Sequence, residues 1–461
     1  MTNSFDQLPL SAAMKDNLRT LGFTSMTPVQ AESLPHSLAG KDVLAKAATG
    51  TGKTAAFGLA LLQHVRPGSS TPSALVICPT RELASQVADE LRRLARALPN
   101  TKIVVVCGGA VFAHQRDALR RGADIVVGTP GRLQDHLRRK TIDLRAASCV
   151  VLDEADRMLE MGFLPDVSEI LEAAKNRRQT MMFSATFPDD VRALSRQMLS
   201  APVEVEITQA PQEHRIYEVA LETQELTRAE AVLRGLYHYR PENAVIFCGL
   251  RQTCDDAQAI LREHGFVART LHGGMEQRER DEVLLLFSNG SLQWLIATDV
   301  AARGIDIENL AAVVNWDLPR EPETYTHRIG RTGRAGREGL AISVVDARDR
   351  RRRDVTQGMI ARAERVDERT LAPVAGQPPA APMVTIAIYG GRKDKLRPGD
   401  IVGALTQEVG LTADQIGVIR VQDTTTWVAV SREVGMQALR GLNNAPIKKR
   451  RYRATMLDER G

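Results

Sequence analysis

The feature that most constrains this chain is a repeated alternation. Short runs of Val, Ile, Leu and Ala, four to six residues long, are separated by amphipathic stretches of helical period. DVLAKA, ALVICP, KIVVVCG, ADIVVG, SCVVLD and QTMMFSA read as strands. TAAFGLALLQHV, RELASQVADELRRLARAL and DALRRG between them read as helices. A strand that is apolar on both faces must be covered on both faces, and intervening helices supply that cover when the sheet is parallel. The pattern restarts with NAVIFCG, ARTLHGG, WLIATDV, AAVVNW and GLAISVV. Two α/β domains follow, joined near 205–215, with APQEHR at 210–215 as the connection.

With 461 residues the chain exceeds a single core. After the charge run DARDRRRRD comes LAPVAGQPPAAP at 371–382, whose Pro and Ala density predicts an extended linker. Beyond it VTIAIYG, PGDIVGALTQEVG, IGVIRVQD, TWVAVSR, EVGMQALRGL and IKKRRYRATML predict a small βαββαβ unit. The expected domains are 1–207, 215–365 and 384–461, with 366–383 as linker.

The net charge of +5 comes from 61 basic and 56 acidic residues. From Val384 to Gly461 there are 13 Lys and Arg against 8 Asp and Glu, so the last unit carries all of the excess. That makes it the electrostatic handle for a polyanion. The five cysteines are scattered without a CxxC pair, which excludes a disulfide frame or zinc site and fits a reducing cytosol. No apolar run is long enough to span a bilayer and the first residues show no secretory signal, so the expected location is cytoplasmic. No dimerisation repeat or obligate protein partner is evident, and the expected state is a monomer.

Two stretches carry the chemistry. AATGTGKT follows a strand and opens a helix. Ala47, Ala48, Thr49, Gly50, Thr51 and Gly52 form a loop whose backbone N–H groups can converge on phosphate, with Ala47 standing where the general pattern has Gly. Lys53 would reach the β- and γ-phosphates and Thr54 would hold Mg²⁺. In VVLDEADRM three carboxylates fall within four positions after an apolar run. Either the strand ends at Leu152 and the acids are solvated, or a cation lies at its carboxyl end. A phosphate loop needs such an acidic partner, so Asp153 would hold the metal and Glu154 would polarise the attacking water.

Asp153-Glu154-Ala155-Asp156 also spells the box of the DEAD-box RNA helicases, and residues 1–350 resemble that family throughout. GFTSMTPVQ resembles its adenine-recognising motif, which implies Gln30 as reader and Phe5 as the stacking aromatic; Met26 replaces a commoner Pro. Pro79, Thr80, Arg81, Gly108, Gly109, Thr129, Pro130, Gly131 and Arg132 lie in PTRELA, GG and TPGR, which resemble RNA-backbone contacts. Asp156, Ser184, Ala185, Thr186 and His327 match positions that couple ATP to unwinding. In the second domain VIFC, HGGMEQRER, ATDVAARGID and HRIGRTGR match, which implies RNA contacts at Gln277, Arg280 and Thr298 and a ribose contact at Asp306. Phosphoryl transfer needs positive charge on the γ-phosphate, and Arg331 and Arg334 can supply it as arginine fingers when the domains close.

The resemblance implies two tandem RecA-like parallel-sheet domains plus an RNA-recognition-like domain. It implies ATP and Mg²⁺ as cofactors, RNA as partner, and local strand separation without long translocation. GGRKDKLRPGDIVGALTQEVGL in the tail resembles the RNA-binding domain of the DbpA branch, which acts on 23S ribosomal RNA during large-subunit assembly; KKRRYR departs from that pattern by being more basic. The tail offers few aromatics, only Trp427 and Tyr389 near its strands, so base stacking on the sheet is not expected. Arg392, Lys393, Lys395, Arg397, Lys448, Lys449, Arg450 and Arg451 are the expected phosphate and shape readers, and Trp427 is expected in the core. The competing readings are a general helicase with a nonspecific basic tail, an ATP-gated RNA clamp without unwinding, and a DNA translocase. Stimulation by ribosomal fragments, duplex release, and DNA against RNA stimulation separate these in turn.

Overall fold

The computed structural model describes residues 3–47, 50–187, 189–207, 216–223, 225–302, 310–333, 338–346, 353–371, 373–374 and 376–457. The first unit holds a seven-stranded sheet of β1 (Val43–Lys46), β2 (Ala74–Ile77), β3 (Ile103–Val106), β4 (Ile125–Gly128), β5 (Cys149–Asp153), β6 (Gln179–Ser184) and β7 (Val203–Glu206). Its order is β3-β4-β2-β5-β6-β1-β7 and every pairing is parallel. Alternate residues feed two apolar layers. Val43, Ala45 and Val76 face one, with Phe57 and Leu91; Leu44, Leu75 and Ile77 face the other, with Leu133 and Ile170. That double burial is why the strands lack polar alternation. β7, reading VEVE with exposed glutamates, is an edge strand.

The second unit repeats the plan with β8 (Ile216–Thr223), β9 (Ala244–Cys248), β10 (Ala268–Leu271), β11 (Trp294–Thr298), β12 (Ala312–Asn315), β13 (Gly339–Asp346) and β14 (Glu364–Asp367). The order β10-β11-β9-β12-β13-β8-β14 is that of the first sheet, strand for strand, and again all parallel.

The third sheet is antiparallel, from β15 (Met383–Ile388), β16 (Ile416–Val421), β17 (Thr426–Ser431) and β18 (Ala454–Met456), in the order β16-β17-β15-β18. Two helical segments, Pro398–Glu408 and Gly435–Asn444, cover one face over Val384, Ile386, Ile388, Val428 and Val430. The other face meets the second RecA-like domain. Thr385 is fully buried there, accepting from the Asn289 amide at 2.8 Å and sharing a hydrogen bond with the Ser291 hydroxyl at 2.8 Å.

The segment expected to be a bare linker is therefore corrected in part. Val366 and Asp367 belong to β14, and Leu371 is buried in the second domain's core. The Tyr237 hydroxyl donates to Gly376 O at 3.3 Å. Ala381 is buried, and the Arg432 guanidinium donates to its carbonyl. Prolines lend extension, but the apolar surface of Tyr237, Phe266 and Leu292 gives them something to lie on, around a cavity of about 510 Å³. All five cysteines are buried thiols. Among the described residues no helix is long and apolar enough to cross a membrane.

Candidate functional site

The glycines after β1 turn the chain into the helix Lys53–Gln63 through left-handed backbone, with φ +76° at Gly50 and +88° at Gly52. A Cβ at Gly52 would displace the Gln30 side-chain amide, and an L side chain is strained at that φ. Gln30 bridges two motifs: its Oε1 accepts from Thr27 N at 2.9 Å and its Nε2 donates to Gly52 O at 3.1 Å. Phe5 is buried, edge-on to Phe23 with ring centroids 6.0 Å apart. Ala47 N donates to Ser184 O at 2.9 Å, tying the base of the loop to the SAT stretch. Ala48, Thr49, Asp306 and Arg334 lie outside the described residues.

β5 continues through Asp153, so the three carboxylates are not in a solvated loop: Asp153, Glu154 and Asp156 are all buried. They are treated differently. Asp156 is compensated, since its Oδ2 accepts from Ala185 N (3.1 Å), Thr186 N (2.9 Å) and the Thr186 hydroxyl (2.9 Å). Its own N–H donates to Ser184 Oγ at 3.2 Å. Asp153 is compensated only in part, by the Glu154 backbone and the Lys53 charge: its Oδ1 and the Lys53 Nζ are buried atoms without a hydrogen-bond partner. Burial raises the Asp153 carboxyl to about 6, against the pull of Lys53. Buried charges left short of partners cost folding energy and mark a place a ligand completes. Glu154 sits in left-handed backbone (φ 55°, ψ 56°) as the helix Ala155–Glu160 begins, a conformation uncommon for a non-glycine residue and frequent at functional sites.

The remaining first-domain motifs meet at the carboxyl ends of β2, β3 and β4. Pro79 is buried, Thr80 caps the helix Arg81–Leu94 by accepting from Leu83 N at 3.2 Å, and the Arg81 guanidinium lies against Gly108, where a Cβ would be 3.0 Å from it. Gly109 has φ +77°. Thr129, Pro130 and Gly131 start the helix Pro130–Arg138, which carries Arg132.

In the second domain Gln277 and Arg280 open the helix Gln277–Ser288, and Arg280 donates to His272 O at 3.3 Å. Thr298 ends β11. His327 lies in the helix Pro322–Ile329, with Arg331 two residues past its end. Sequence reasoning missed two arginines. Arg328 is buried and fully engaged, with a two-point pair to Asp299 (2.6 and 2.7 Å), bonds to Asn315 Oδ1 (2.9 Å) and Asp317 O (2.6 Å), and the Phe247 ring 4.9 Å away. Arg251 lies against Gly273 as Arg81 lies against Gly108, from the equivalent strand. The equivalence of the two sheets was the signal that could have found it.

In the tail, Arg392, Lys395, Arg397, Arg420 and Lys448 line a cavity of about 730 Å³ beside the edge strand β16. Arg420 was not foreseen. Lys448 is shared with Asp400 at 2.8 Å. Lys393, Lys449, Arg450 and Arg451 are exposed outside the cavity. Trp427 corrects the expectation of a core residue: it lies across from Ala387 and Arg420, on the face opposite the tail's apolar core.

Residues 27–194 match the DEAD/DEAH box helicase family and 227–336 the helicase conserved C-terminal domain. Residues 385–456 match the DbpA RNA binding domain. The chain belongs to the DEAD-box ATP-dependent RNA helicases. Within them it has the three-part make-up of the DbpA type. It is 45% identical to the ATP-dependent RNA helicase DbpA of Escherichia coli K12, over 97% of this chain and 98% of that one. The DbpA of Bacillus subtilis 168 is 36% identical over 94% of both. Among solved structures, S. cerevisiae Dbp5 bound to RNA and ADP BeF3 matches with a TM-score of 0.71 and 30% identity, over 79% of this chain and 96% of that one.

Proposed function

We propose that this helicase remodels 23S ribosomal RNA during large-subunit assembly, as a cytoplasmic monomer, with its tail choosing the RNA through the cavity beside β16. The observation that carries this reading is the division of the tail's surfaces. The sheet face on which RNA-recognition folds usually stack bases holds Thr385 against the second domain, while the basic cavity stays open. Arginines at that density recognise phosphate geometry and RNA shape.

In the motor, ATP completes the two unpartnered charges. Lys53 Nζ would meet phosphate, and Thr54 and Asp153 would hold Mg²⁺, which would supply charge neutralisation on the phosphates. Glu154 orients the attacking water. Asp156, held by the SAT backbone, passes the state of the site to the RNA-facing loops.

The test replaces Arg392, Lys395, Arg397 and Arg420 together with Ala and measures ATP hydrolysis across 23S fragments and scrambled RNAs of equal length. Preference for one fragment should disappear while activity at saturating generic RNA is kept. The log–log salt slope of RNA affinity should shrink by roughly 3. Persisting preference would place selectivity in the motor domains.

A further inference from the structure

Arg132 is held by residues that no helicase motif in the sequence pointed to. Its NH1 donates to Ala110 O at 3.0 Å and to Gln115 Oε1 at 3.1 Å. Gln115, on the helix Phe112–Arg120, is buried, and its Nε2 donates to Cys107 O at 2.6 Å. That bond fixes which end of the amide faces Arg132. His136 Nε2 lies 3.2 Å from the same Oε1, so with an acceptor already there this nitrogen carries the proton. His136 Nδ1, 2.7 Å from Thr141 Oγ1, is then the acceptor, and the Thr141 hydroxyl proton is divided between it and the His136 carbonyl at 3.1 Å. The imidazole is fully buried and stacks on Phe112 at 4.2 Å with a 15° interplanar angle. Arg139 lies 4.6 Å over the same ring.

We infer that Gln115 and His136 are positioning residues that set the Arg132 guanidinium for the RNA backbone. The geometry has direction. The Gln115 amide gives an N–H to Cys107 O, and its oxygen is shared between a neutral ring behind and a cation in front. A guanidinium held through NH1 by two acceptors, with its Nε 3.7 Å from the Asp135 carboxylate, keeps NH2 for a phosphate, which lowers the ordering cost of meeting one. Burial holds the imidazole to a pKa of about 4, so the ring stays neutral beside Arg132 at physiological pH and the relay does not repel the cation it orients. The inference rests on Arg132 being an RNA contact.

The experiment is a cycle in the full chain. Gln115→Leu should weaken ATP-dependent RNA affinity about tenfold. In an Arg132→Ala background the same change should cost nothing further. Gln115→Glu, which keeps an oxygen toward Arg132 but loses the donor to Cys107 O, should restore part of the affinity. Should Gln115→Leu fold poorly, His136→Phe keeps the stack on Phe112 and removes only the hydrogen bond, and should give a smaller loss that Arg132→Ala again abolishes. Equal losses with and without Arg132 would overturn the proposal, because the pair would then only brace two helices. A crystal structure of Gln115→Leu reads the positioning independently of RNA: the guanidinium should leave Ala110 O, and finding it unmoved would also overturn it. If Arg132→Ala alone left RNA affinity unchanged, the RNA role of that arginine would fall instead, and the proposal with it.

Discussion

The two parallel sheets have one topology and opposite treatments of buried charge. At the end of β5 the first domain leaves Asp153 Oδ1 and Lys53 Nζ without partners. The equivalent strand in the second domain is β12, and there the described charges Asp299, Asp317 and Arg328 are all partnered. Asp317 takes Arg228 and the Gly249 N–H, and Arg328 takes Asp299, Asn315 and the Asp317 carbonyl. An ion pair closed on itself is scaffold. One left open, at a cost in stability, is a receptor. One architecture can thus serve as an ATP site in one copy and as its rigid counterpart in the other.

The largest effect tests whether the second copy lends charge to the first. Arg331→Ala should lower RNA-stimulated hydrolysis by about 10³–10⁵ while leaving ATP binding in place. A loss below about tenfold in steady-state turnover would remove that arginine from the finger role. Next, stability should separate closed charges from open ones. Arg328→Met takes the guanidinium from half-buried Asp299 and from the buried Asn315 Oδ1 and should cost about 3 kcal/mol in chemical denaturation. Lys53→Met breaks no hydrogen bond and should cost about 1 kcal/mol or less. Similar costs for both would erase the contrast.

The smallest effect is a slope. The Asp153 carboxyl, raised from 3.8 to about 6, binds its proton more tightly folded than unfolded. Between those values its contribution to stability falls as pH rises, by at most about 3 kcal/mol. His136, lowered from 6.5 to about 4, works the other way, and its contribution rises with pH across nearly the same interval. The two oppose. Asp153→Asn should therefore steepen the rise of nucleotide-free stability from pH 4 to 6.5 relative to the parent, measured by denaturant midpoints. An unchanged slope would mean that Asp153 is not held protonated.

How much of this was legible in the sequence depended on distance along the chain. The phosphate loop, the acidic box and both sheets are local: a strand's apolar run, glycines at fixed offsets, acids at a strand's end. β7, β8 and β14 escaped because VEVE, IYEVALET and ERVD set charges among their apolar residues and read unlike buried strands. Thr385 gave no sign of its role, since its partners Asn289 and Ser291 are ordinary polar residues more than ninety positions away. Trp427 was misplaced because an aromatic in an alternating strand faces either way until the register is known. Gln115 and His136 were invisible for the same reason as Thr385: a hydrogen-bond relay leaves no spacing pattern when its members sit on different elements.

The seat of Thr385 on Asn289 and Ser291 bears on how such proteins can be recombined. A tail joined through loose chain could be exchanged like a cassette, its new host indifferent to it. This one brings half of a fitted surface, and the other half lies in a loop of the motor. A tail transplanted onto a different helicase would arrive with a buried hydroxyl short of its partners and an apolar strap with nothing to lie on. The unit of inheritance is the second RecA-like domain together with the tail, and grafts cut upstream of residue 216 should keep a binding preference that grafts cut at residue 383 lose.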